Sequence, residues 1–276
     1  MRVREAYNYL KSRLKNVTSE CEFEARWIIE ELTGEKLEVL FLDPTKEISG
    51  EDEMDFVLNQ RIIYRKPLQY IFRKAFFMGY EFYVDERVLI PRQDTEVIVE
   101  YVVKILKNQP NSTWVDVGTG SGAIAVSIFN EAGISGFATD LSKKVIDIAK
   151  KNAQRFNANI KFIVCDLLEA FKDLKFDLIV SNPPYVSADE YESLLPEVKS
   201  EPYEALVGGV EGYEVTERIL KEARRVLKPG GHIIIETSQK VFENLKGRGV
   251  FNFFELKSEI FDLSGNLRGF HLCKRD

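Results

Sequence analysis

The chain has 276 residues, of which 45% are hydrophobic and 30% are charged, and its formal net charge is −6. This composition is typical of a globular protein with a sizeable core, and the length allows one large domain or two smaller ones. The 38 basic and 44 acidic residues are interspersed without a basic run, which argues against DNA or bulk RNA as the substrate.

The cysteines, histidines and apolar stretches exclude several other classes. The three cysteines are far apart and form no CxxC pair, so we expect no disulfide framework and predict a cytoplasmic protein. The first ten residues, MRVREAYNYL, lack the apolar core of a secretory signal, and no apolar stretch approaches the roughly 20 residues that cross a bilayer. Only two histidines are present, which argues against a metal site or a Ser-His-Asp triad. We therefore expect neither a metal nor a membrane partner.

Residues 1–72 are predicted to form a domain of four or five short helices, because apolar residues recur there at helical spacing. In the segment SECE, Ser19 and Glu22 fit a capping box that opens one of these helices. Gly34 is expected to end the same helix.

Residues 73–90, RKAFFMGYEFYVDERVLI, alternate aromatic and β-branched side chains around Gly79. This pattern predicts a β-hairpin that links two domains. Pro91 then ends the strand, and Asp94 is positioned to cap a helix that opens the second domain, residues 91–276.

From residue 113 onward, strand, turn and helix patterns alternate. Five strands are predicted before a final pair of strands that is joined by a Ser-Gly-Asn turn. The five lie in TWVDVG, GFATD, IKFIVCD, FDLIVS and VLKPGGHIIIETS. Alternation of this kind predicts an α/β fold with a mostly parallel sheet that is covered by helices.

A glycine-rich turn, VDVGTGSGAIA, follows the first of these strands and places Gly118, Gly120 and Gly122 before a helix. Glycines there allow a tight turn and let a ligand approach the backbone and the helix N-terminus closely. The G-x-G-x-G spacing differs from the G-x-G-x-x-G of dinucleotide sites, which makes a nicotinamide oxidoreductase the weakest alternative.

Two aspartates end the next two strands. Asp140 is positioned to accept hydrogen bonds from the hydroxyls of a ribose, and Asp166 from the amino group of an adenine, with Leu167 able to pack on the ring. Because open α/β sheets bind ligands at the carboxyl ends of their strands, we expect these side chains to share one pocket with the glycine turn.

The fourth strand runs into the corner Asn182-Pro183-Pro184-Tyr185. The side-chain oxygen of Asn182 and the carbonyl oxygen of Pro183 are two hydrogen-bond acceptors, and Pro184 holds the second of them in an extended conformation. Two fixed acceptors match the two N–H bonds of a planar amide or aryl amine, while Tyr185 offers an aromatic face. Held in this way, a weakly nucleophilic nitrogen is oriented for attack, and its developing charge is stabilised.

With these motifs the chain resembles the class I S-adenosylmethionine-dependent methyltransferases, whose sheet is Rossmann-like and seven-stranded. The resemblance implies S-adenosyl-L-methionine as the methyl donor and S-adenosylhomocysteine as the product. The positive charge of the donor also suits a pocket that contains Asp116. The implied cofactor-binding residues are Gly118, Thr119, Gly120, Ser121, Gly122, Asp140, Leu141, Asp166, Leu167 and Asn182.

A more specific resemblance covers nearly the whole chain. The segments 67–96, 181–186, 201–214 and 262–270 are similar to those of the glutamine N5-methyltransferases that modify peptide chain release factors. This family implies a class 1 release factor as the partner and the glutamine of its Gly-Gly-Gln motif as the methyl acceptor. The implied catalytic residues are Asn182, Pro183 and Tyr185, and the implied substrate-binding residues are Asn182, Pro183, Pro184 and Tyr185. One departure is Gln93, where the family usually has proline.

Other functions share the same corner motif. Methylation of a ribosomal-protein glutamine is a close alternative, and amino methylation of adenine or guanine in nucleic acid is a further one. A binding module that has kept the fold without the activity also remains open at this point, since fold alone does not establish function.

Overall fold

The computed structural model describes residues 1–43 and 45–275. The helices are α1 (Val3–Leu14), α2 (Cys21–Thr33), α3 (Leu37–Leu40), α4 (Glu51–Ile62), α5 (Leu68–Phe72), α6 (Glu96–Asn108), α7 (Ala123–Ala132), α8 (Lys143–Arg155), α9 (Ala188–Glu192), α10 (Pro196–Lys199), α11 (Tyr203–Leu206), α12 (Glu214–Val226) and α13 (Gln239–Lys246). The strands are β1 (Lys74–Phe77), β2 (Tyr80–Tyr83), β3 (Trp114–Val117), β4 (Gly136–Asp140), β5 (Ile160–Val164), β6 (Phe176–Ser181), β7 (Val186–Ser187), β8 (Val207–Gly209), β9 (Leu227–Glu236), β10 (Phe254–Phe261) and β11 (Leu267–Lys274). Two 3-10 helices span Gln93–Thr95 and Val250–Phe253.

The chain divides into a smaller helical unit and a larger α/β unit. The helical unit contains Met1–Arg73 together with Pro196–Ser200, a segment from much later in the sequence. The α/β unit contains the other described residues, including the β1–β2 hairpin. A domain boundary drawn along the sequence cannot include this segment, because the segment contacts the helical unit in space but lies far from it along the chain.

The helical unit is built on α1 to α5, whose apolar faces form one core. Gly34 ends α2 in a left-handed conformation with φ of 70°, as predicted. The predicted capping box at Ser19 is wrong, because α2 begins at Cys21 and its preceding residue, Glu20, makes no side-chain cap. The backbone N–H of Glu20 instead donates to the hydroxyl of Thr18. The Ser19–Glu22 spacing of a capping box is therefore present in the sequence, but the helix begins later than that spacing predicts.

The α/β unit confirms the predicted class I methyltransferase fold. Its central sheet has seven strands in the order β10-β11-β9-β6-β3-β4-β5. The five strands from β9 to β5 are parallel, and β11 runs antiparallel to both of its neighbours. Apolar residues are buried on both faces of the sheet, in two separate clusters. Burial on both faces explains why the sequence of β6 reads as a continuous hydrophobic run.

The predicted hairpin is confirmed, and its Phe77 and Phe82, which are almost fully buried, pack into a core of the α/β unit to which the hairpin belongs. The side chain of Glu96 accepts a hydrogen bond from the backbone N–H of Met78 at the hairpin turn, with a distance of 2.7 Å between the nitrogen and Oε1. The hairpin is therefore held by the start of α6.

The predicted cap at Asp94 is wrong. Asp94 lies inside the 3-10 helix, and Thr95 immediately precedes α6. Asp94 instead forms an ion pair with Arg268 of β11, with 2.8 Å between Oδ2 and Nη1. The carboxylate of Asp94, which the local sequence pattern assigned to the start of the helix, is therefore paired with an arginine far away in the sequence.

The described helices include none that is both long enough and apolar enough to span a membrane.

Candidate active site

The glycine-rich turn after β3 and the polar segments that follow β4, β5 and β6 all lie at one edge of the central sheet, where these parallel strands end. Val117, the last residue of β3, pairs with Ser181 of β6, and Ser181 in turn pairs with Ile235 of β9. Because these strands are parallel, Gly118, Asn182 and the end of β9 lie side by side. The strand order also reverses between β3 and β6, and ligands of open α/β sheets bind at such a point.

The glycine turn after β3 is held open by backbone bonds. The N–H groups of Gly118 and Thr119 both donate to the carbonyl of Thr139 at the end of β4, at 2.9 Å. Gly118 and Gly120 have φ of 73° and 55°, a region that other residues rarely adopt. A Cβ at either position would meet no atom within 4 Å. The turn therefore forms a backbone cradle with free space beside it.

Gly122 has a different role from the other two glycines. Its φ is 82°, and a Cβ there would lie 3.2 Å from Ala149 of α8. This glycine allows α7 and α8 to approach each other. The carbonyl of Ser121 accepts a hydrogen bond from Asn152 of α8 at 2.8 Å, and the same buried side chain also bonds the backbone of Tyr83 in the hairpin. Asn152, which the sequence analysis did not select, thus connects the glycine turn to the hairpin.

A buried carboxyl group lies beneath the turn. Asp116 is fully buried in β3, and its Oδ2 accepts a hydrogen bond of 2.6 Å from the hydroxyl of Thr119. Its Oδ1 has no hydrogen-bond partner among the described residues. Burial, with a smaller contribution from the nearby Asp140 carboxylate, raises the pKa of Asp116 to about 7. A positive charge bound at the cradle would stabilise the ionised form of this group.

Asp140 is partly buried at the end of β4. Its two carboxylate oxygens accept hydrogen bonds from the backbone N–H groups of Gly120, at 3.1 Å, and Ser142, at 3.2 Å. Burial nevertheless raises the pKa of Asp140 above its ordinary value. Because a carboxylate has about four acceptor sites, two remain for hydroxyl donors. Next to it, Leu141 is 68% exposed and offers an apolar surface.

Asp166 lies two residues beyond β5 and is only partly buried. Its Oδ2 accepts a hydrogen bond of 2.6 Å from Arg218 of α12 within an ion pair. Leu167 follows with a positive φ of 44° and packs partly on the core. One oxygen of Asp166 is thus engaged by an arginine that the sequence analysis did not associate with this corner.

The Asn182 corner follows β6. The Nδ2 of Asn182 donates to the hydroxyl of Thr95, at 3.2 Å, and Pro183 is buried. Tyr185 packs against the core, and burial raises the pKa of its hydroxyl to about 12, with the Glu236 carboxylate as the next cause. Tyr185 therefore stays neutral at ordinary pH.

The glycine-rich segment 207–212 supports this corner from behind. Strand β7, directly after the corner, pairs with β8. A Cβ at Gly208 would lie 2.3 Å from the carbonyl oxygen of Pro184, and one at Gly212 would lie 2.5 Å from that of Tyr185. Only glycine fits at these two contacts, which explains why the segment accompanies the corner motif.

Two further charged side chains were not identified from the sequence. Glu201 is 4% exposed, and it accepts hydrogen bonds from Arg92 and from the backbone N–H of Ile90. Glu236 ends β9 and is 3% exposed, and burial raises its pKa to about 7. Gln93, the departure from the family pattern, is exposed beside Arg92. An acidic residue at the end of an apolar strand could have marked Glu236 as a candidate site residue. The side chains that surround it in the fold, however, lie far away in the sequence.

The residues present fit a cofactor that carries hydroxyl groups and a positive charge. The open backbone cradle accommodates the charged part, and the unpartnered Oδ1 of Asp116 contributes a negative potential beneath it. The free acceptor sites of Asp140 suit hydroxyl donors. The described residues contain no cluster of three or more His, Cys, Asp or Glu side chains that could hold a metal ion.

A family model described as a methyltransferase domain matches residues 108–260, which include all of these corners. The chain is 35% identical over 270 residues to the release factor glutamine methyltransferase of Fusobacterium nucleatum, an alignment that covers 96% of this chain and 75% of that one. It is 31% identical over 280 residues to the protein of the same name from Borreliella burgdorferi, with 100% and 96% covered.

The fold is also found among solved structures. The crystal structure of a methyltransferase from Pyrococcus furiosus superposes with a TM-score of 0.54 at 19% sequence identity. The match covers 83% of this chain and 100% of that one.

Proposed function

Because the chain belongs to the release factor glutamine methyltransferase family, we propose that it transfers a methyl group from S-adenosyl-L-methionine to N5, the side-chain amide nitrogen, of a glutamine in a peptide chain release factor. In this proposal the acceptor is the glutamine of the Gly-Gly-Gln motif of class 1 release factors. A cytoplasmic location follows from that substrate.

The observation that carries this proposal is the position of the Asn182 corner beside the glycine cradle at the switch point of the sheet. The cofactor supplies an electrophilic methyl group on a positively charged sulfur. The cradle of Gly118 to Gly122 holds its methionine part, while Asp116 and Thr119 shape the cradle from below. Asp140 and Leu141 bind the ribose, and Asp166 and Leu167 bind the adenine.

The corner acts on the acceptor nitrogen. The Oδ1 of Asn182 and the carbonyl oxygen of Pro183 accept the two N–H bonds of the substrate amide, which aims the nitrogen lone pair at the methyl group. As the methyl group arrives, positive charge grows on the nitrogen, and these two acceptors stabilise it. The neutral ring of Tyr185, with Pro184 beside it, packs against the planar amide.

The helical unit is proposed to help bind the release factor. Its described surface exposes large aromatic side chains, among them Phe23 (57%), Phe56 (59%) and Tyr64 (68%). Exposed apolar side chains of this size are typical of surfaces that bind other proteins.

The test is a methyl-transfer assay with labelled S-adenosylmethionine. Release factor, ribosomal protein and duplex DNA are offered in parallel, and the products are mapped by peptide mass spectrometry or nucleoside analysis. We expect one methyl group on the Gly-Gly-Gln glutamine and none when that glutamine is replaced by alanine. Label on the ribosomal protein or the DNA instead would overturn the proposed substrate.

Two variants separate binding from chemistry in this assay. Asn182→Ala should reduce turnover by about 100-fold or more while cofactor affinity changes little, because the amide acceptor is lost. Asp140→Ala should weaken cofactor binding by roughly 10- to 100-fold, since hydrogen bonds to a charged group contribute about 1.5–3 kcal/mol. Equal loss of affinity and turnover in Asn182→Ala would contradict the role given to this residue.

A further inference from the structure

The segment that follows β5 is held along one face of α12. Arg218, Glu222 and Arg225 are spaced four and three residues apart, so their side chains share a face of this helix. All three form hydrogen bonds to the segment 166–173. Another face of α12 is buried in the core of the α/β unit. The segment is therefore attached to a helix that is itself fixed by packing.

The backbone of Leu168 is bonded at both of its polar groups. Its N–H donates to Oε2 of Glu222 at 3.0 Å, and its carbonyl accepts from Nη2 of Arg225 at 3.3 Å. Leu167, just before it, has a φ of 44°, in the left-handed region that residues other than glycine rarely adopt. The bonds at Leu168 therefore hold the turn that carries Asp166 and Leu167 in one backbone conformation.

The side chain of Asp166 is fixed separately by Arg218. Nη2 of Arg218 donates to Oδ2 of Asp166 at 2.6 Å, in a charge-assisted bond between side chains that are 49% and 34% exposed. Because a carboxylate is planar, engaging Oδ2 also sets the direction of Oδ1. Oδ1 is left to accept a hydrogen bond from a bound ligand. Arg218 thus makes the carboxylate an acceptor of fixed position and direction.

We propose that Arg218 is a positioning residue that fixes the Asp166 carboxylate against the amino group of adenine and thereby makes the pocket select adenine over a 6-oxo purine. This inference rests on the proposed function, in which Asp166 binds the adenine of the cofactor. An amino group donates to a carboxylate, whereas the oxygen that replaces it in hypoxanthine is itself an acceptor and is repelled. A fixed carboxylate cannot turn away from that oxygen, but a carboxylate that is free to rotate can.

The experiment measures dissociation constants by isothermal titration calorimetry of the full chain. The ligands are S-adenosylhomocysteine and S-inosylhomocysteine, which has hypoxanthine in place of adenine. Neither compound carries the sulfonium charge, so removal of the Arg218 cation does not act through that charge. The wild-type protein should bind the adenine compound at least tenfold more tightly, because the hypoxanthine compound loses a hydrogen bond to a charged group.

Arg218→Met removes the donor and keeps a long side chain. We expect it to weaken the binding of S-adenosylhomocysteine by about five- to tenfold, while the binding of S-inosylhomocysteine changes less than twofold. The loss of a purely structural contact would instead weaken both ligands equally. Arg218→Lys retains the charge and a donor, and it should restore most of the selectivity because Asp166 accepts a single bond here. Lys221→Met, on the same helix but paired with Glu217, should change neither constant.

The outcomes separate the two proposals. Wild-type protein that binds no S-adenosylhomocysteine overturns the proposed cofactor and with it the proposed function. Wild-type selectivity for adenine that persists in Arg218→Met overturns the role of Arg218 alone, as does equal weakening of both ligands or a wild-type protein that binds both equally. Where Arg218→Met is unfolded by circular dichroism, Arg218→Ala, which suits an exposed helix position, decides the question by the same ratio of constants.

Discussion

Asp116 and Glu236 are buried carboxyl groups near the carboxyl ends of β3 and β9, and burial raises the pKa of each to about 7. Such groups hold their protons in the folded chain at a pH where the unfolded chain has released them. Their contribution to stability is therefore fully present below about pH 4 and is lost as pH rises through about 7. The sequence identified Asp116 by its place before the glycines, whereas Glu236 became visible only through its burial at the end of β9.

Replacing the buried carboxyl group in Asp116→Asn is expected to make the free energy of unfolding less dependent on pH. The wild-type protein should lose free energy of unfolding between pH 5 and pH 8 without cofactor, because the charged form of Asp116 is buried there. The variant should lose on the order of 2 kcal/mol less over the same interval, since one pKa unit corresponds to about 1.4 kcal/mol. Urea unfolding at the two pH values measures the difference. Asp189→Asn, which removes an exposed carboxylate, serves as the control, and an identical loss in Asp116→Asn would refute the assignment.

The Asn182 corner depends on elements that follow it in the chain. Strands β7 and β8 bring Gly208 against the carbonyl of Pro184. The φ of Gly208 lies outside the left-handed region, so the requirement for glycine here comes from space rather than from backbone strain. The segment 201–214 and the corner motif thus form one structural element, although the sequence shows only that they occur in order.

Gly208→Ala should therefore move the corner. The added Cβ would be 2.3 Å from the oxygen of Pro184 and 2.4 Å from that of Gly212, so the backbone must shift. We expect a loss of at least tenfold in kcat and a destabilisation of about 1–3 kcal/mol. The matched control is Gly247→Ala, where a Cβ would meet only Asn244 at 3.7 Å. Turnover assays with both variants test this, and a Gly208→Ala protein with wild-type kcat would disprove it.

At the scale of the whole molecule, the helical unit is closed by a segment from the second half of the chain. Arg61 of α4 is 4% exposed and forms two hydrogen bonds to Glu24, at 2.8 and 2.9 Å, and one to Glu197, at 2.9 Å. Glu197 belongs to the returning segment Pro196–Ser200. A single buried arginine therefore joins α2, α4 and a part of the chain more than 130 residues away.

Arg61→Met should destabilise the helical unit by about 3 kcal/mol, because it leaves the shielded carboxylate of Glu24 without its arginine and leaves Glu197 with Arg65 alone. Urea unfolding followed by Trp27 fluorescence in a Trp114→Phe background reports on this unit alone, since the chain has two tryptophans. Lys11→Met removes an exposed ion pair with Glu22 and should change nothing measurable. Equal midpoints for Arg61→Met and its background would show that the buried network does not stabilise the unit.

The sequence by itself determined the sheet and the edge at which its corners meet. Runs of buried residues that end in glycine, aspartate or Asn-Pro-Pro-Tyr predict parallel strands with polar ends, and parallel strands necessarily bring those ends to one edge. The helix that ends at Gly34 was also predictable, because a left-handed C-terminal glycine is a local feature. The candidate positions of Gly118, Asp140 and Asn182 were readable for the same reason.

Only the tertiary structure decided which side chains contact those corners. The Thr95–Asn182 bond, the Arg218–Asp166 pair and the Arg61–Glu197 bond each join residues more than 50 positions apart. Asp94 resembles a helix cap in its local sequence but pairs with a distant arginine. Local patterns report the preferences of a few neighbouring residues, whereas strand register and the burial of charge select among distant partners. For this reason the motif was legible in the sequence, but the hydrogen bonds that orient it were not.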